Sequence, residues 1–322
     1  MDFFKHLNQA QQVADTITDW DEHRFSWPKA YVAGAFAAVA YEQLPMFELK
    51  KTKRAKIIPC DRYQAHVARW ITKQTRANTN QLEIQGSIDY VTRSQVVVAI
   101  SKLPRVIFIS LRGTTLAFSD FKADLDARKT TYSLGFGAEV KFHRGFFDAV
   151  IDCFDEVVEK VAEINTTNVP VYIAGHSLGG AMAAIFHARL AAHKFHPFFN
   201  RHHPIRSSVS CYSFGMPRYG NSQAKSLLPQ PHHVFNEFDA IPTVPPTILG
   251  FADTSNERCL NAIPEETLVP RKGNLGLRSG KGLATVLGIS DHRMEQYVNR
   301  LDIMRQQVAR GNLPPMPSQN RT

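Results

Sequence analysis

Six consecutive residues, Gly175-His176-Ser177-Leu178-Gly179-Gly180, combine a serine with the small neighbours that a reactive hydroxyl needs. They follow the apolar run Val169 to Ala174 and precede the small-residue stretch Ala181 to Phe186. A strand that feeds a tight turn, with serine at its apex and a helix behind it, is a nucleophile elbow. A Cβ at Gly175 or Gly179 would crowd the close approach of strand and helix. The helix N-terminus also aims backbone N–H groups at the place where an oxyanion would develop during attack on a carbonyl. An ordinary Gly-rich turn carrying a surface serine has the same local pattern, so the rest of the chain has to supply the partners.

A serine is a weak nucleophile without a base, and the base needs an orienting carboxylate. In elbow enzymes the order along the chain is serine, acid, histidine. Asp239 is the best acid: it follows Val234 to Phe238 and precedes Ile241-Pro242, at the end of a strand, where the catalytic edge of an α/β sheet lies. Asp253 is the runner-up and Glu237 the third choice. His292 is the best base, in a stretch, Ser290 to Tyr297, that reads as the loop entering the last helix. His232 and His233 precede Asp239 and stand in the wrong order. His176 is expected to pack beside the serine rather than serve it. Two N–H donors are needed for an oxyanion. Leu178, just after the serine, supplies one, and Thr114 supplies the other from Arg112-Gly113-Thr114-Thr115, which ends the apolar run Val106 to Leu111.

These residues require elements to carry them. Ala30–Tyr41 and Tyr63–Gln74 have helical apolar spacing, and Gln9 to Trp20 reads as a polar amphipathic helix. Strands are expected at Leu82–Ile84, Ile88–Val91, Gln95–Ser101 and Arg105–Leu111, with Leu103-Pro104 turning a hairpin. Phe146 to Ile164 is strongly amphipathic, with Val150, Phe154, Val157, Val161 and Ile164 on one face. Further strands are expected at Ser208–Phe214 and His232–Asn236. This alternation implies a central, largely parallel sheet with helices on both faces. The organisation expected is a helical region over 1–80 packed on the core, a core over 81–310 and a flexible tail over 311–322.

The 322 residues, 43% hydrophobic and 21% charged, suit a globular α/β chain. No apolar run approaches the roughly 18 residues that cross a bilayer. The N-terminus lacks a basic segment followed by an apolar core, so the expectation is a chain that stays inside or leaves without a cleavable signal. Cys60, Cys153, Cys211 and Cys259 are widely spaced; Cys153 and Cys211 read as core thiols, and no disulfide framework or metal site is implied. His193–Arg206 holds four histidines, without a clear helical pair or a carboxylate, and reads as a surface loop. The net charge of +9 is partly clustered at Lys50–Lys56 and Arg271–Lys281. It suits an anionic lipid surface and equally a solvated basic face that aids solubility. No nucleic-acid motif accompanies it.

Taken together, the blocks resemble the class 3 lipases, the family of the fungal triacylglycerol lipases. The resemblance is carried by Arg112-Gly113-Thr114-Thr115 with Asp120 and Asp124, His143-Arg144-Gly145-Phe146, and Gly175 to Gly180. It continues through Phe214 to Asn221, Asn236 to Pro242, and His292 with Tyr297. It implies an α/β-hydrolase fold. It also implies a Ser177–Asp239–His292 triad, an oxyanion hole from Thr114 and Leu178, and no metal or organic cofactor. The activity implied is ester hydrolysis of lipid at a membrane or emulsion interface through an acyl-enzyme. Phospholipase A, short-chain carboxylesterase and acyltransferase share that chemistry, and a lipase-like scaffold without catalysis is the contrasting class. Leu116 to Phe121 is expected to form an amphipathic lid, with Leu116, Phe118 and Phe121 covering an acyl groove. Replacing Phe118 and Phe121 by Ser should then reduce hydrolysis of emulsions more than that of soluble short esters. Equal losses on both substrates would count against a lid.

Overall fold

Helix α2 (Trp27–Val39) is apolar on nearly every side, and all but one of its residues are buried. A helix of that composition is stable only when enclosed by protein. Its start is set locally: the Ser26 side chain accepts a hydrogen bond from the Lys29 N–H, and Pro28 sits in the first turn. The computed structural model describes residues 3–41, 87–93, 96–112, 129–133, 139–195, 205, 209–260 and 291–312.

Among the described residues, a seven-stranded sheet lies against α2, in the order β1 (Ser87–Arg93), β2 (Val96–Lys102), β3 (Ile107–Arg112), β6 (Val171–His176), β7 (Val209–Phe214), β8 (His232–Asn236) and β9 (Glu257–Leu260). The first three strands pair antiparallel, and every pairing from β3 to β9 is parallel. The two omitted strands, β4 (Lys129–Ser133) and β5 (Glu139–His143), make a separate antiparallel pair. Parallel neighbours need crossovers, and α-helices provide three of the four. They are α3 (Arg144–Ile164) before β6, α4 (Leu178–Phe195) before β7 and α5 (Ser222–Leu227) before β8.

Alternation along the strands divides the core into two layers. Phe108, Tyr172, Ala174, Tyr212 and Phe214 face α1 (Phe3–Thr16), α2 and α6 (Met294–Ala309). Ile107, Ile109, Val171, Ile173 and Cys211 face α3 and α4. The buried stripe of α3 includes Val150, Cys153, Phe154, Val157 and Val161, close to the stripe expected from its spacing. The Leu103-Pro104 turn is closed by a bond from the Leu103 N–H to the Val106 carbonyl.

Some boundaries depart from expectation. α1 runs over Phe3–Thr16 and stops before Trp20. Trp20 instead turns inward, edge-on to Phe108 and Tyr172, with its indole N–H bonded to the Ala14 carbonyl. The turn between α1 and α2 is pinned by the buried Lys29 ammonium, which reaches the Asp19 and Glu22 carbonyls and the Asp19 carboxylate. α4 extends to Phe195, so His193 belongs to this helix and not to a loop. Tyr63–Gln74, Leu82–Ile84, both basic clusters, Cys60, Thr114, the Leu116–Phe121 segment, His196, His202 and His203 and all but the first two residues of the 311–322 tail lie outside the described residues. Among the described residues, no helix is long and apolar enough to cross a membrane.

The layers meet where Phe36 of α2 stacks on Phe108 of β3, with ring centroids 5.0 Å apart and planes within 2°. Both rings are fully buried. Phe36→Ala should lower stability by about 3–5 kcal/mol through the cavity it opens. Urea unfolding would measure this, and a loss below about 1 kcal/mol would mean that α2 does not hold the sheet face as described.

Candidate active site

β6 ends at His176, and Ser177 follows with φ +57°. A non-glycine residue in the left-handed region costs on the order of 1–3 kcal/mol and persists only where its surroundings enforce it. Here the Ser177 N–H donates to the Phe214 carbonyl at the end of β7, 2.9 Å away. The Ser177 carbonyl accepts from the Gly180 and Ala181 N–H groups as α4 begins. The turn leaves no room at Gly175, where an added Cβ would lie 2.2 Å from the Gly179 carbonyl oxygen. The serine therefore stands at the carboxyl edge of the sheet, with Leu178 opening a helix behind it. The N–H of a first helical residue has no acceptor within its own helix and is free to meet an anion.

Three elements bring three side chains into one chain of hydrogen bonds. His292, in the loop that enters α6, has Nε2 at 2.8 Å from Ser177 Oγ. Its Nδ1 lies 2.7 Å from Asp239 Oδ2. Asp239, just beyond β8, has no exposed surface. It receives two further donors: the Tyr297 hydroxyl at 2.5 Å on Oδ2 and the Ile241 N–H at 2.9 Å on Oδ1. Burial pushes this carboxyl up, but the His292, Tyr297 and Ile241 donors outweigh burial and hold it below the usual carboxylate value. The group is thus ionised at neutral pH. The opposite holds for Tyr297, whose phenol is pushed up by burial and by the carboxylate it serves.

The backbone makes room for this contact. Gly215 has φ +53°, and a Cβ there would sit 2.6 Å from both Asp239 Oδ2 and the Tyr297 oxygen. The segment after Asp239 is tied down by Arg218. Its guanidinium donates to the Thr243 and Pro245 carbonyls and pairs with Asp253 at 2.7 Å. Asp253, the second choice of acid, is thereby a structural partner. His233 bonds Glu257 through Nδ1 and accepts the Met216 N–H at Nε2, while His232 bonds the His23 carbonyl. Neither ring reaches the serine by these bonds. His176 does pack beside the site, its ring centroid 4.7 Å from that of His292.

Sequence spacing singled out Tyr297 only through its motif and gave no role to Tyr41 or Asn236. The Tyr41 hydroxyl bonds the His176 carbonyl at 2.9 Å, and Asn236 donates to the Asp291 carbonyl at 2.6 Å. Asn236 was visible in the sequence only as the first residue of the Asn236 to Pro242 block.

A serine, an imidazole and a buried carboxylate at these distances can pass the hydroxyl proton to Nε2 while the oxygen attacks a carbonyl. Residues 108–249 match the family Lipase (class 3). Among curated relatives, the secreted mono- and diacylglycerol lipase 1 of Fusarium solani is 28% identical over 174 residues, 52% of this chain and 47% of the relative. The secreted mono- and diacylglycerol lipase MDL2 of Malassezia globosa is 32% identical over 120 residues, 36% of each chain. The chain thus spans less than half the length of each. The solved mono- and diacylglycerol lipase of Aspergillus oryzae shares the fold, with a TM-score of 0.56 over 84% of this chain and 96% of that one at 17% identity.

Asp239→Asn tests the buried charge. It should lower kcat by about 10⁴-fold, since an amide cannot hold the imidazole in the required tautomer. Because folding depresses the Asp239 pKa, its charge stabilises the native state above the unfolded value near 3.9, and that contribution is lost as pH falls through the lower folded value. The stability advantage of wild type over Asp239→Asn, followed by urea midpoints from pH 7 to about 3, should therefore shrink on acidification below about pH 4. A gap that stays constant throughout would mean the carboxyl is not depressed.

Proposed function

We propose that this protein hydrolyses carboxylic esters of lipids, acylglycerols first among them, through an acyl-enzyme on Ser177. The observation that carries the reading is the unbroken chain Ser177–His292–Asp239, with contacts of 2.8 and 2.7 Å ending on a fully buried carboxylate. In the mechanism, His292 takes the proton of Ser177 as Oγ attacks the ester carbonyl. Asp239 fixes the imidazole tautomer and balances its charge. The Leu178 N–H, with that of Thr114, receives the oxyanion. His292 then returns the proton to the departing alcohol, and water activated by the same imidazole releases the fatty acid.

Lipid as the substrate class is supported by the two curated relatives above, both named mono- and diacylglycerol lipases. It is supported as well by the surface near Asp239. Phe238, its immediate neighbour, is 56% exposed, and Ile248 further along the same segment is 91% exposed. Large apolar side chains held in water on the segment that follows the acid suit a protein that works against an apolar phase. The residues over 3–41 are read as part of the hydrolase itself, because α1 and α2 complete one face of its core.

A series of p-nitrophenyl esters from short to long acyl chains, with Ser177→Ala alongside, tests the reading. Wild type should turn over long chains and the variant should be inactive. Mono-, di- and triacylglycerol and phospholipid emulsions then rank the headgroups. A folded wild type that matches Ser177→Ala on every ester, with detergent present, would sink the reading.

A further inference from the structure

His292 must be held within a fraction of an ångström to be useful. Its side chain keeps 19% exposure. The helix it precedes is not capped in the usual way: Arg293 occupies the N-cap of α6 and makes no capping bond with its side chain. The loop is instead gripped by its carbonyl groups. The Asp291 carbonyl accepts from Asn236 Nδ2 at 2.6 Å, and the next carbonyl, that of His292 itself, lies 2.6 Å from His176 Nε2. The two grips come from the ends of two strands, β8 and β6, the same strands that present Asp239 and Ser177. Arg300, nearly two turns into α6, pairs with the Asp291 carboxylate at 3.1 Å.

The chemistry of the His176 contact is fixed by its partner. A carbonyl oxygen only accepts, so Nε2 must carry a proton. Burial, with the adjacent His292 ring, pushes His176 down to about 3, so the ring is neutral and Nδ1 is bare. Nδ1 then faces the Tyr41 hydroxyl at 3.2 Å. A neutral ring with one N–H can sit next to the imidazole that must gain a positive charge without opposing it, whereas a lysine or arginine making the same bond would repel it.

We propose that His176 and Asn236 are positioning residues, which clamp the two consecutive carbonyls of the Asp291–His292 loop and so aim His292 at both Ser177 and Asp239. The inference rests on the hydrolase reading above. Neither residue touches substrate; each acts through the base. Because the nucleophile precedes the α4 helix directly after His176, the residue that ends β6 sets serine and base in register from a single point of the chain.

The test compares His176→Leu, which removes the donor, with His176→Gln, whose side-chain amide can restore an N–H near the position of Nε2. Hydrolysis of a soluble short ester and the rate of Ser177 labelling by an active-site phosphonate are read together with Tm. His176→Leu should lower kcat and the labelling rate about 10- to 100-fold with KM unchanged, and His176→Gln should recover most of the loss. A role in folding alone would move Tm and the active fraction but leave the rate per labelled site intact, and that result would overturn the proposal. So would a glutamine variant as slow as the leucine one at equal Tm. If His176→Leu does not fold, ¹⁵N-edited NMR of the wild type decides. A neutral His176 protonated at Nε2 at neutral pH supports the clamp, and the Nδ1-protonated or charged form overturns it. Ser177→Ala, run alongside, separates the two claims. A wild type no faster than Ser177→Ala sinks the hydrolase reading, whereas an active wild type equalled by His176→Leu sinks the clamp alone.

Discussion

A carboxylate with no contact with water is the constraint around which the site is organised. Isolated, an ionised Asp239 would cost several kcal/mol to bury, and the group would hold its proton instead. Three donors prevent that, and each makes a demand on the fold. The Ile241 N–H requires the chain to turn sharply after β8, the Tyr297 hydroxyl requires α6 to lie against the sheet, and the His292 ring requires the loop before α6 to reach the sheet edge. Gly215 must lack a side chain for the three to converge.

The sheet meets these demands by placing the ends of β6, β7 and β8 side by side. Parallel pairing puts His176, Phe214 and Asn236 on one edge. From that edge β6 offers the serine, β7 supplies the carbonyl that holds the serine in its left-handed turn, and β8 carries the acid. The strand faces are then free for packing, with aromatic residues toward α1, α2 and α6 and β-branched residues toward α3 and α4. Chemistry at the strand ends and packing on the strand faces do not compete for the same residues.

Much of this was legible in the sequence. Ser177 was marked by glycines on both sides of a strand-to-helix change, and Asp239 and His292 by chain order and by their places at a strand end and a helix entry. The core strands showed in their β-branched runs, and α3 in its stripe. What escaped notice shares one physical cause. Tyr41, Asn236 and the carbonyl contact of His176 act through bonds to backbone atoms far along the chain, and backbone acceptors leave no mark in residue types. The same holds for Trp20, whose departure from the expected helix is decided by aromatic partners on β3 and β6. Arg218 was visible only as part of a motif, because its work is to hold carbonyls of the segment beyond Asp239.

The layer formed by α1, α2 and α6 joins stretches that are remote along the chain. His6 meets Asn299 across 293 residues, at 3.0 Å, and the Cβ that Gly34 lacks would touch Leu301. Contacts so distant in sequence carry a large loop-closure entropy and form late. On a ribosome, the sheet, the serine and the acid emerge well before α6. The proposed base comes with α6, the last of the described helices, so a chain that stops short of it carries the proposed nucleophile without the imidazole that would activate it. Under the proposed hydrolysis, activity would begin only when α6 docks against α2, and completion of the core and the switching-on of chemistry would be one event.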